Sequence, residues 1–306
     1  MNLNQLEYVI AVDKHRHFAK AAKSCFVTQP TLSMMIHKLE EELDTKIFDR
    51  SKKPVVPTEV GLKIIEQAKL TLIESKKIVE LVASHKNIIE GKIRIGIIPT
   101  LAPYLLPLFM KSFLEEYPLI RLKISEYTTE NIMDKLEKGE IDVGILVTPL
   151  NNKYLNERPL FYETFIVYSS HQYDKKYLLA EDLNLNELWL LEEGHCFRSQ
   201  ILNLCELRKK EDLQLEYAAG SIETLRQLVE NQEGITILPE LSTRYLSEEA
   251  CKKLMPFQPP APVREVSLVT HKDFIKKRLV DILEKAILES IPQEIRERND
   301  YERIEI

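Results

Sequence analysis

The stretch from Thr58 to about residue 89 is typical of one uninterrupted helix, and it constrains the fold more than any other part of the sequence. Thr58 can cap its start, and an apolar stripe recurs at helical spacing, comprising Ile64, Ala68, Leu72, Ile78, Leu81 and Val82. A helix of ~30 residues is ~45 Å long, so a domain of ~60 residues cannot cover the whole stripe. We therefore expect residues 58–90 to pair with a second copy and form a homodimer. The alternative is a long surface helix on its own domain.

Residues 1–57, ahead of this helix, show the pattern of three short helices and a hairpin. Apolar residues at helical spacing open the chain, and small alanines at 18–24 let another helix approach closely. Thr28 can cap a third helix that carries Pro30 in its first turn. Three short helices with a tight turn between the second and third are typical of a helix-turn-helix. The β-type residues at 47–57 indicate a small hairpin, so we predict a winged helix-turn-helix.

Beyond Gly91, short predicted strands alternate with helices up to a C-terminal helix near residues 274–288. This alternation is typical of a mostly parallel sheet, which makes the chain an α/β multidomain protein. The strand at 265–270 and the helix after it should return to the first sheet. We therefore expect two lobes with a ligand-sized cleft between them within residues 91–306. Lobe I would comprise about 91–161 and 265–306, and lobe II about 162–264.

The formal net charge of −6 is unevenly distributed. Residues 1–90 carry 14 Lys and Arg against 12 Asp and Glu, a net charge of +2, while the remainder carries 28 against 36. The first segment is therefore the only part suited to a phosphate backbone. No apolar run reaches ~20 residues, and the N-terminus lacks the basic lead of a signal peptide. We expect a cytoplasmic protein without membrane association.

The exposed face of the predicted third helix offers groups that can read DNA. It carries Gln29, Pro30, Thr31, Ser33, Met34, His37 and Lys38. Glutamine, serine and threonine can hydrogen-bond base edges, and the basic residues Lys38, Arg50, Lys52 and Lys53 can neutralise phosphates. Helix triplets are common, so this pattern alone also fits a solvated amphipathic helix.

The string FAKAAKSCFVTQPTLSMMIHKLEEEL, followed by KIFDR and PTEVG, resembles the N-terminal domain of LysR-type transcription regulators. The resemblance implies a winged helix-turn-helix, a dimerising linker helix and a two-lobed regulatory domain like that of periplasmic binding proteins. It also implies homodimers that pair into homotetramers on double-stranded DNA, with RNA polymerase as a further partner. Met34 and Met35 are less usual occupants of that helix, which leaves the DNA sequence open.

A cysteine pair in the α/β region suggests redox chemistry. Four cysteines in a long cytoplasmic chain are not a disulfide framework, so any disulfide would be regulatory or catalytic. Cys196 opens a predicted helix, and Arg198 and His195 lie close enough in sequence to lower its pKa and favour the thiolate. Attack on a peroxide gives a sulfenic acid, which a second thiol such as Cys205 resolves to a disulfide. The alternative is two ordinary buried cysteines.

The spacing of this pair makes a disulfide a structural event. If residues 197–207 are helical, nine residues separate Cys196 from Cys205 by ~13.5 Å of helix rise and place them on opposite faces. A disulfide needs Cα atoms within ~7 Å of each other. Oxidation must therefore unwind or reshape this helix.

The string from Gly194 to Gln200 contains Cys196, and eight residues separate Cys196 from Cys205. This arrangement resembles the redox loop of the LysR-type regulators that respond to hydrogen peroxide. The resemblance implies that Cys196 reacts with peroxide and that Cys205 resolves it. It further implies that Thr100 and Thr129 hydrogen-bond the peroxide, and that His195 and Arg198 polarise the site. It implies a regulator rather than an enzyme, with peroxide as effector, no cofactor or metal, and a glutaredoxin- or thioredoxin-type reductant for resetting.

One departure from that pattern concerns the C-terminal strand. The family's Val-Tyr-Arg appears here as Val269-Thr270-His271, and the family arginine is thought to support the reactive cysteine. His271 could replace it only when protonated, so the sequence leaves the pKa of the reactive cysteine and its oxidation rate open.

Three other functions fit parts of the sequence. A LysR-type regulator with silent cysteines would sense a small metabolite in the cleft. A thiol peroxidase would have no use for residues 1–90, and the chain has no Cys-x-x-Cys recycling motif. A solute-binding protein of the same two-lobed fold would need a signal peptide.

Overall fold

The computed structural model describes residues 1–85, 89–192, 196–205, 220–298 and 301–304. The chain forms two compact units, Met1–Ile88 and Ile89–Ile306. In the described part of the chain, no helix is long and apolar enough to cross a membrane.

The first unit is a winged helix-turn-helix, as predicted. Its elements are α1 (Leu3–His15), α2 (Phe18–Ser24), α3 (Gln29–Glu42), β1 (Phe48–Asp49), β2 (Val56–Pro57) and α4 (Glu59–His85). Asn2 caps α1 by accepting a hydrogen bond from the Gln5 N–H, and Thr28 caps α3 by accepting one from the Thr31 N–H. The antiparallel pair β1–β2 is the wing. Leu32, Ile36 and Leu39 turn one face of α3 into the core, which leaves the opposite face exposed.

The start of α4 is packed tightly against the wing. The Thr58 hydroxyl donates to the Lys46 carbonyl and accepts from the Gly61 N–H. A Cβ on Gly61 would lie 2.0 Å from the Ile47 carbonyl oxygen, so only glycine permits this approach. The first half of the predicted stripe, including Ala68 and Leu72, packs on the unit's own core, while Ile78 is exposed. The side chains of Leu81 and Val82, which continue the predicted stripe, lie outside the described part of the structure, so pairing with a second copy stays a prediction.

The second unit is a two-lobed α/β structure, again as predicted. Its strands are β3 (Gly91–Ile97), β4 (Ile120–Glu126), β5 (Val143–Thr148), β6 (Leu155–Ser169), β7 (Ile235–Pro239), β8 (Leu254–Pro256), β9 (Ala261–His271) and β10 (Tyr301–Arg303). Its helices are α5 (Ala102–Glu116), α6 (Thr129–Glu137), α7 (Cys196–Leu204), α8 (Ile222–Gln232), α9 (Glu248–Cys251), α10 (Lys277–Ser290) and α11 (Gln293–Arg296).

Two long strands join the lobes. The strand order is β4-β3-β5-β9-β6-β7, in which β3 pairs parallel with β4 and β5, whereas the pairs β5–β9, β9–β6 and β6–β7 are antiparallel. β10 pairs parallel with β9. The sheet is therefore mixed, not mostly parallel. β6 pairs with β9 over residues 155–164 and then with β7 from Phe165 onward. A boundary between the lobes near residues 161–162 remains a proposal, and it falls just before this change of partner.

Candidate redox site and nucleic-acid interface

The outer face of α3 presents the residues that were predicted to contact DNA. Gln29, Pro30, Thr31, Met34, His37 and Lys38 are exposed, and Ser33 is half-buried. A shallow groove is lined by Gln29, Pro30, Ser33, Met34, His37, Lys38 and Glu41. Lys52 and Lys53 are exposed in the loop of the wing. The structure thus groups the predicted base-reading residues on one helix face and places two of the predicted phosphate contacts on the wing.

Arg50, which was also predicted to contact phosphate, is exposed, and its guanidinium contacts three residues of the protein. Its guanidinium lies 2.9 Å from the buried Glu40 carboxylate, 3.2 Å from Ser33 Oγ and 4.9 Å from the centre of the Phe18 ring. The same Glu40 accepts hydrogen bonds from the Ile47 and Phe48 N–H groups at 2.8 and 3.3 Å. Glu40 and Arg50 therefore fix the wing against α3, because a buried carboxylate must be paired and hydrogen-bonded.

The predicted redox residues come from both lobes and meet at their boundary. Cys196 is the first residue of α7 in lobe II, and it is buried and free. Thr100 follows β3 and Thr129 begins α6, both in lobe I, and both are buried. Arg264 hydrogen-bonds Thr100, and both Arg264 and Thr129 act on the Cys196 thiol.

Arg264 is the site residue that the sequence analysis missed. It is fully buried in β9, where Nε donates to Glu163 at 2.8 Å and Nη1 to the Thr100 hydroxyl at 3.0 Å. The guanidinium carbon lies 5.1 Å from the centre of the Phe197 ring, and Phe197 follows Cys196 directly. The available signal was an arginine in the apolar-rich segment from Ala261 to Val269, because a buried charge needs a specific partner.

Burial governs the electrostatics of the pocket. It raises the pKa of the Cys196 thiol above its ordinary value, and Thr129, Arg264 and the N–H groups of Phe197 and Cys196 only partly oppose it. Burial also raises the pKa of the Glu163 carboxyl, against the effects of Arg264 and the Leu241 N–H. The predicted lowering of the Cys196 pKa is therefore wrong for this structure. The charge of Arg264 is shared with Glu163, so it cannot fully offset the burial.

The raised pKa of Cys196 predicts a steep pH dependence for the reactivity of the reduced thiol. Only the thiolate reacts, so alkylation by iodoacetamide should quicken by about tenfold per pH unit for as long as the pH lies below the raised pKa. In urea-unfolded protein the rate should level off near the ordinary cysteine pKa of ~8.5. Mass spectrometry of the Cys196 peptide measures both curves, and a plateau at lower pH in the folded protein would contradict the prediction.

The Thr129 hydroxyl is an unpaired polar group in the wall of the pocket. It lies near enough to lower the pKa of Cys196, yet its oxygen makes no hydrogen bond of normal geometry with any residue that the structure describes. Buried hydroxyls usually have a partner, and leaving one without costs ~1–3 kcal/mol. A small polar ligand beside Cys196 would satisfy it.

Three further residues were considered in predicting the pocket: Arg198, His195 and His271. Arg198 donates from Nη1 to the Leu191 carbonyl at 2.8 Å, so it ties α7 to the segment before it. His195 lies outside the described residues. His271 is paired with Asp273 and follows Arg264 by seven strand residues, or ~23 Å. The cation that acts on the Cys196 thiol is therefore Arg264.

Helix α7 separates the two cysteines as the spacing predicted. It runs from Cys196 to Leu204, and the Cys205 N–H still donates to the Ile201 carbonyl at 3.0 Å. Nine residues of helix correspond to ~13.5 Å, about twice the span of a disulfide. Burial raises the pKa of the half-buried Cys205 to about 11, so this thiol is neutral at rest.

The middle of α7 is anchored to the C-terminal strand. Gln200 is fully buried, and its Nε2 donates to the Ile304 carbonyl at 2.9 Å. Strand β10 pairs with β9 next to Arg264, and Arg303 forms an ion pair with Glu265 at 2.9 Å. Unwinding α7 would therefore break a contact to the C-terminal segment as well as the helix itself. No group of three or more His, Cys, Asp or Glu within the described ranges is arranged to hold a metal ion.

Two family descriptions match the chain. "Bacterial regulatory helix-turn-helix protein, lysR family" matches residues 3–62, and "LysR substrate binding domain" matches residues 87–289. The hydrogen peroxide-inducible genes activator of Pectobacterium carotovorum subsp. carotovorum is 36% identical over 272 residues, which cover 88% of this chain and 90% of the relative. The DNA-binding transcriptional dual regulator OxyR of Escherichia coli is 35% identical over 273 residues, which cover 88% and 89%.

Solved structures agree with these matches. A full-length OxyR variant from Pseudomonas aeruginosa is 33% identical, covers 94% of this chain and 98% of its own, and has a TM-score of 0.73. An OxyR mutant from Corynebacterium glutamicum, described as bound to hydrogen peroxide, is 27% identical, covers 94% and 92%, and has a TM-score of 0.61. The resemblance found in the sequence is confirmed.

Proposed function

The chain belongs to the LysR family of bacterial helix-turn-helix regulators, and from that premise we propose that it is a cytoplasmic transcription regulator that senses hydrogen peroxide through Cys196. It binds duplex DNA through the exposed face of α3 and the wing. The observation that carries the sensing proposal is Cys196 itself, buried at the start of a helix beside the unpaired Thr129 hydroxyl and the Arg264 guanidinium.

The proposed chemistry consumes one peroxide and two thiols. The Cys196 thiol loses its proton, and its sulfur attacks one peroxide oxygen as the O–O bond breaks. The sulfur becomes a sulfenic acid, and the other oxygen leaves as water after taking up the proton. The Cys205 sulfur then attacks the Cys196 sulfur, and the sulfenic oxygen leaves as a second water. The products are one disulfide and two water molecules, so no cofactor is needed and the protein acts as a sensor rather than an enzyme.

The residues of the pocket have separate roles in this proposal. Thr100 and Thr129 hydrogen-bond the bound peroxide, and Thr100 is itself held by Arg264 at 3.0 Å. Arg264 favours the thiolate that must form transiently in a site where burial otherwise opposes it. His195 and Arg198 remain proposed contributors to polarising the site.

The disulfide acts on the fold because α7 cannot accommodate it. Bringing Cys205 to Cys196 unwinds the helix, releases Gln200 from Ile304 and withdraws Phe197 from Arg264. This local change alters how α4-paired dimers assemble into tetramers on DNA and how they contact RNA polymerase. A glutaredoxin- or thioredoxin-type reductant resets the disulfide.

One equivalent of peroxide per chain should therefore convert free Cys196 and Cys205 into a disulfide and expose the amides of α7. We expect mass mapping to show the linked pair, and hydrogen exchange across residues 197–204 to accelerate by at least about tenfold because the helical hydrogen bonds are lost. DNA binding measured on the same two samples should differ. If both thiols survive and binding is unchanged, the metabolite-sensing alternative is favoured.

A further inference from the structure

We propose that Met34 reads the 5-methyl groups of thymines in the major groove and thereby sets part of the base preference of this regulator. The proposal rests on the proposed DNA-binding function of α3 and names the chemical group that one of its side chains recognises.

Met34 is placed on the DNA-reading face by the core of its own helix. Leu32 and Ile36 flank it in sequence and are fully buried, which turns Met34 outward. Its side chain is 59% exposed and lines the same shallow groove as Gln29, Ser33 and Lys38. Met34 and Pro30 are thus the apolar residues that line this groove, whose other lining residues are polar, and the exposed Met34 side chain is not part of the packed core of the unit.

The chemistry of the side chain limits what it can recognise. A thioether has no donor and is only a weak acceptor, so it gains little from the polar atoms of base edges. Thymine presents an additional methyl group in the major groove, and apolar side chains recognise thymine through contact with that methyl. The unbranched and polarisable methionine side chain can adapt its shape to such a contact. Its polar neighbours on α3 remain free to read donors and acceptors on adjacent bases.

Charge on the same unit favours DNA as the occupant of this face. Lys38 is exposed on α3, one helical turn after Met34, and Lys52 and Lys53 are exposed on the wing. Basic side chains that flank a recognition helix place it against the phosphates on either side of a groove. Met34 would therefore meet base edges rather than solvent in the complex.

The test uses the full-length protein and removes single methyl groups from DNA. A preferred duplex is first selected from a random library at fixed salt concentration, and each thymine is then replaced by deoxyuridine, which lacks only the 5-methyl group. At one or two positions per half-site, we expect the replacement to weaken binding roughly fourfold, the effect of exposing one buried methyl group. Met34→Gln should bind thymine and deoxyuridine duplexes equally at those positions, and Met34→Leu should keep the difference.

Met35 provides the matched control, because it is the same residue type one position along the helix and is half-buried. Met35→Ala should keep the wild-type sensitivity to deoxyuridine, even if it lowers stability. Undiminished sensitivity in Met34→Gln, or no sensitive position in the wild type, would overturn the proposal while leaving DNA binding intact. Failure to select any preferred sequence would overturn the DNA-reading function as well, so the two failures are distinguishable.

Discussion

Cys196→Ser is expected to abolish the effect of peroxide on DNA binding, whereas Cys205→Ser should stop the reaction at the sulfenic acid. The first change removes the sulfur that attacks peroxide, and the second removes the thiol that resolves the product. With one equivalent of peroxide, the Cys205→Ser variant should form a dimedone adduct on Cys196 and no disulfide. Its DNA binding should remain close to that of the reduced protein, because α7 can stay helical.

The other two cysteines are internal controls for this experiment. Cys251 is exposed, and Cys25 lies in the turn before α3. Cys251→Ser and Cys25→Ser should keep the full peroxide response, and thermal unfolding of each variant checks that a lost response is not lost folding. A Cys196→Ser protein that still responds to peroxide would refute the mechanism and favour a different sensor.

The second large effect is expected from the buried pair formed by Arg264 and Glu163. Arg264→Met removes the cation and leaves a fully buried carboxylate without its partner, so the free energy of unfolding should fall by about 3–5 kcal/mol. The same change removes an influence that lowers the pKa of Cys196. Oxidation by peroxide should therefore slow by about tenfold for each unit by which that pKa rises further.

A second substitution separates stability from reactivity. Glu163→Gln removes the negative charge and keeps an oxygen to accept from the Leu241 N–H, which lies 2.7 Å from Glu163. In the Arg264→Met background it should restore a large part of the lost stability without restoring the oxidation rate. Alone, it should leave the charge of Arg264 uncompensated, lower the pKa of Cys196 and speed oxidation.

Urea unfolding and stopped-flow oxidation measure these two quantities independently. Rescue of both stability and rate by the double change would show that Arg264 acts on Cys196 only through packing. An oxidation rate that Arg264→Met leaves unchanged in folded protein would remove Arg264 from the mechanism.

Much of the fold could be predicted because the sequence patterns that specify its helices are local. The apolar spacing and the Thr28 cap identify α3, and Thr58 marks the start of α4. The nine-residue spacing of the cysteines needed only the helical rise to show that a disulfide must disrupt α7. In each case the deciding contacts lie within a few residues along the chain.

The contacts of Arg264 were missed because its partners are distant in sequence. Arg264 meets a glutamate 101 residues away and a threonine 164 residues away, so no local pattern reveals it. The sequence analysis likewise did not predict the ion pair of the exposed Arg50 with Glu40, and the phosphate contact of Arg50 stays a prediction. The mixed sheet likewise depends on how β9 returns between β5 and β6.

Thr58 and the helix after it, together with the cysteine spacing, are therefore properties of the sequence alone. They follow from helical periodicity and rise, which need no knowledge of distant contacts. The electrostatic state of Cys196 was decided only by the tertiary structure. Its pKa depends on how deeply the thiol is buried and on how the charge of Arg264 is divided with Glu163, and both are set by the packing of the two lobes against each other.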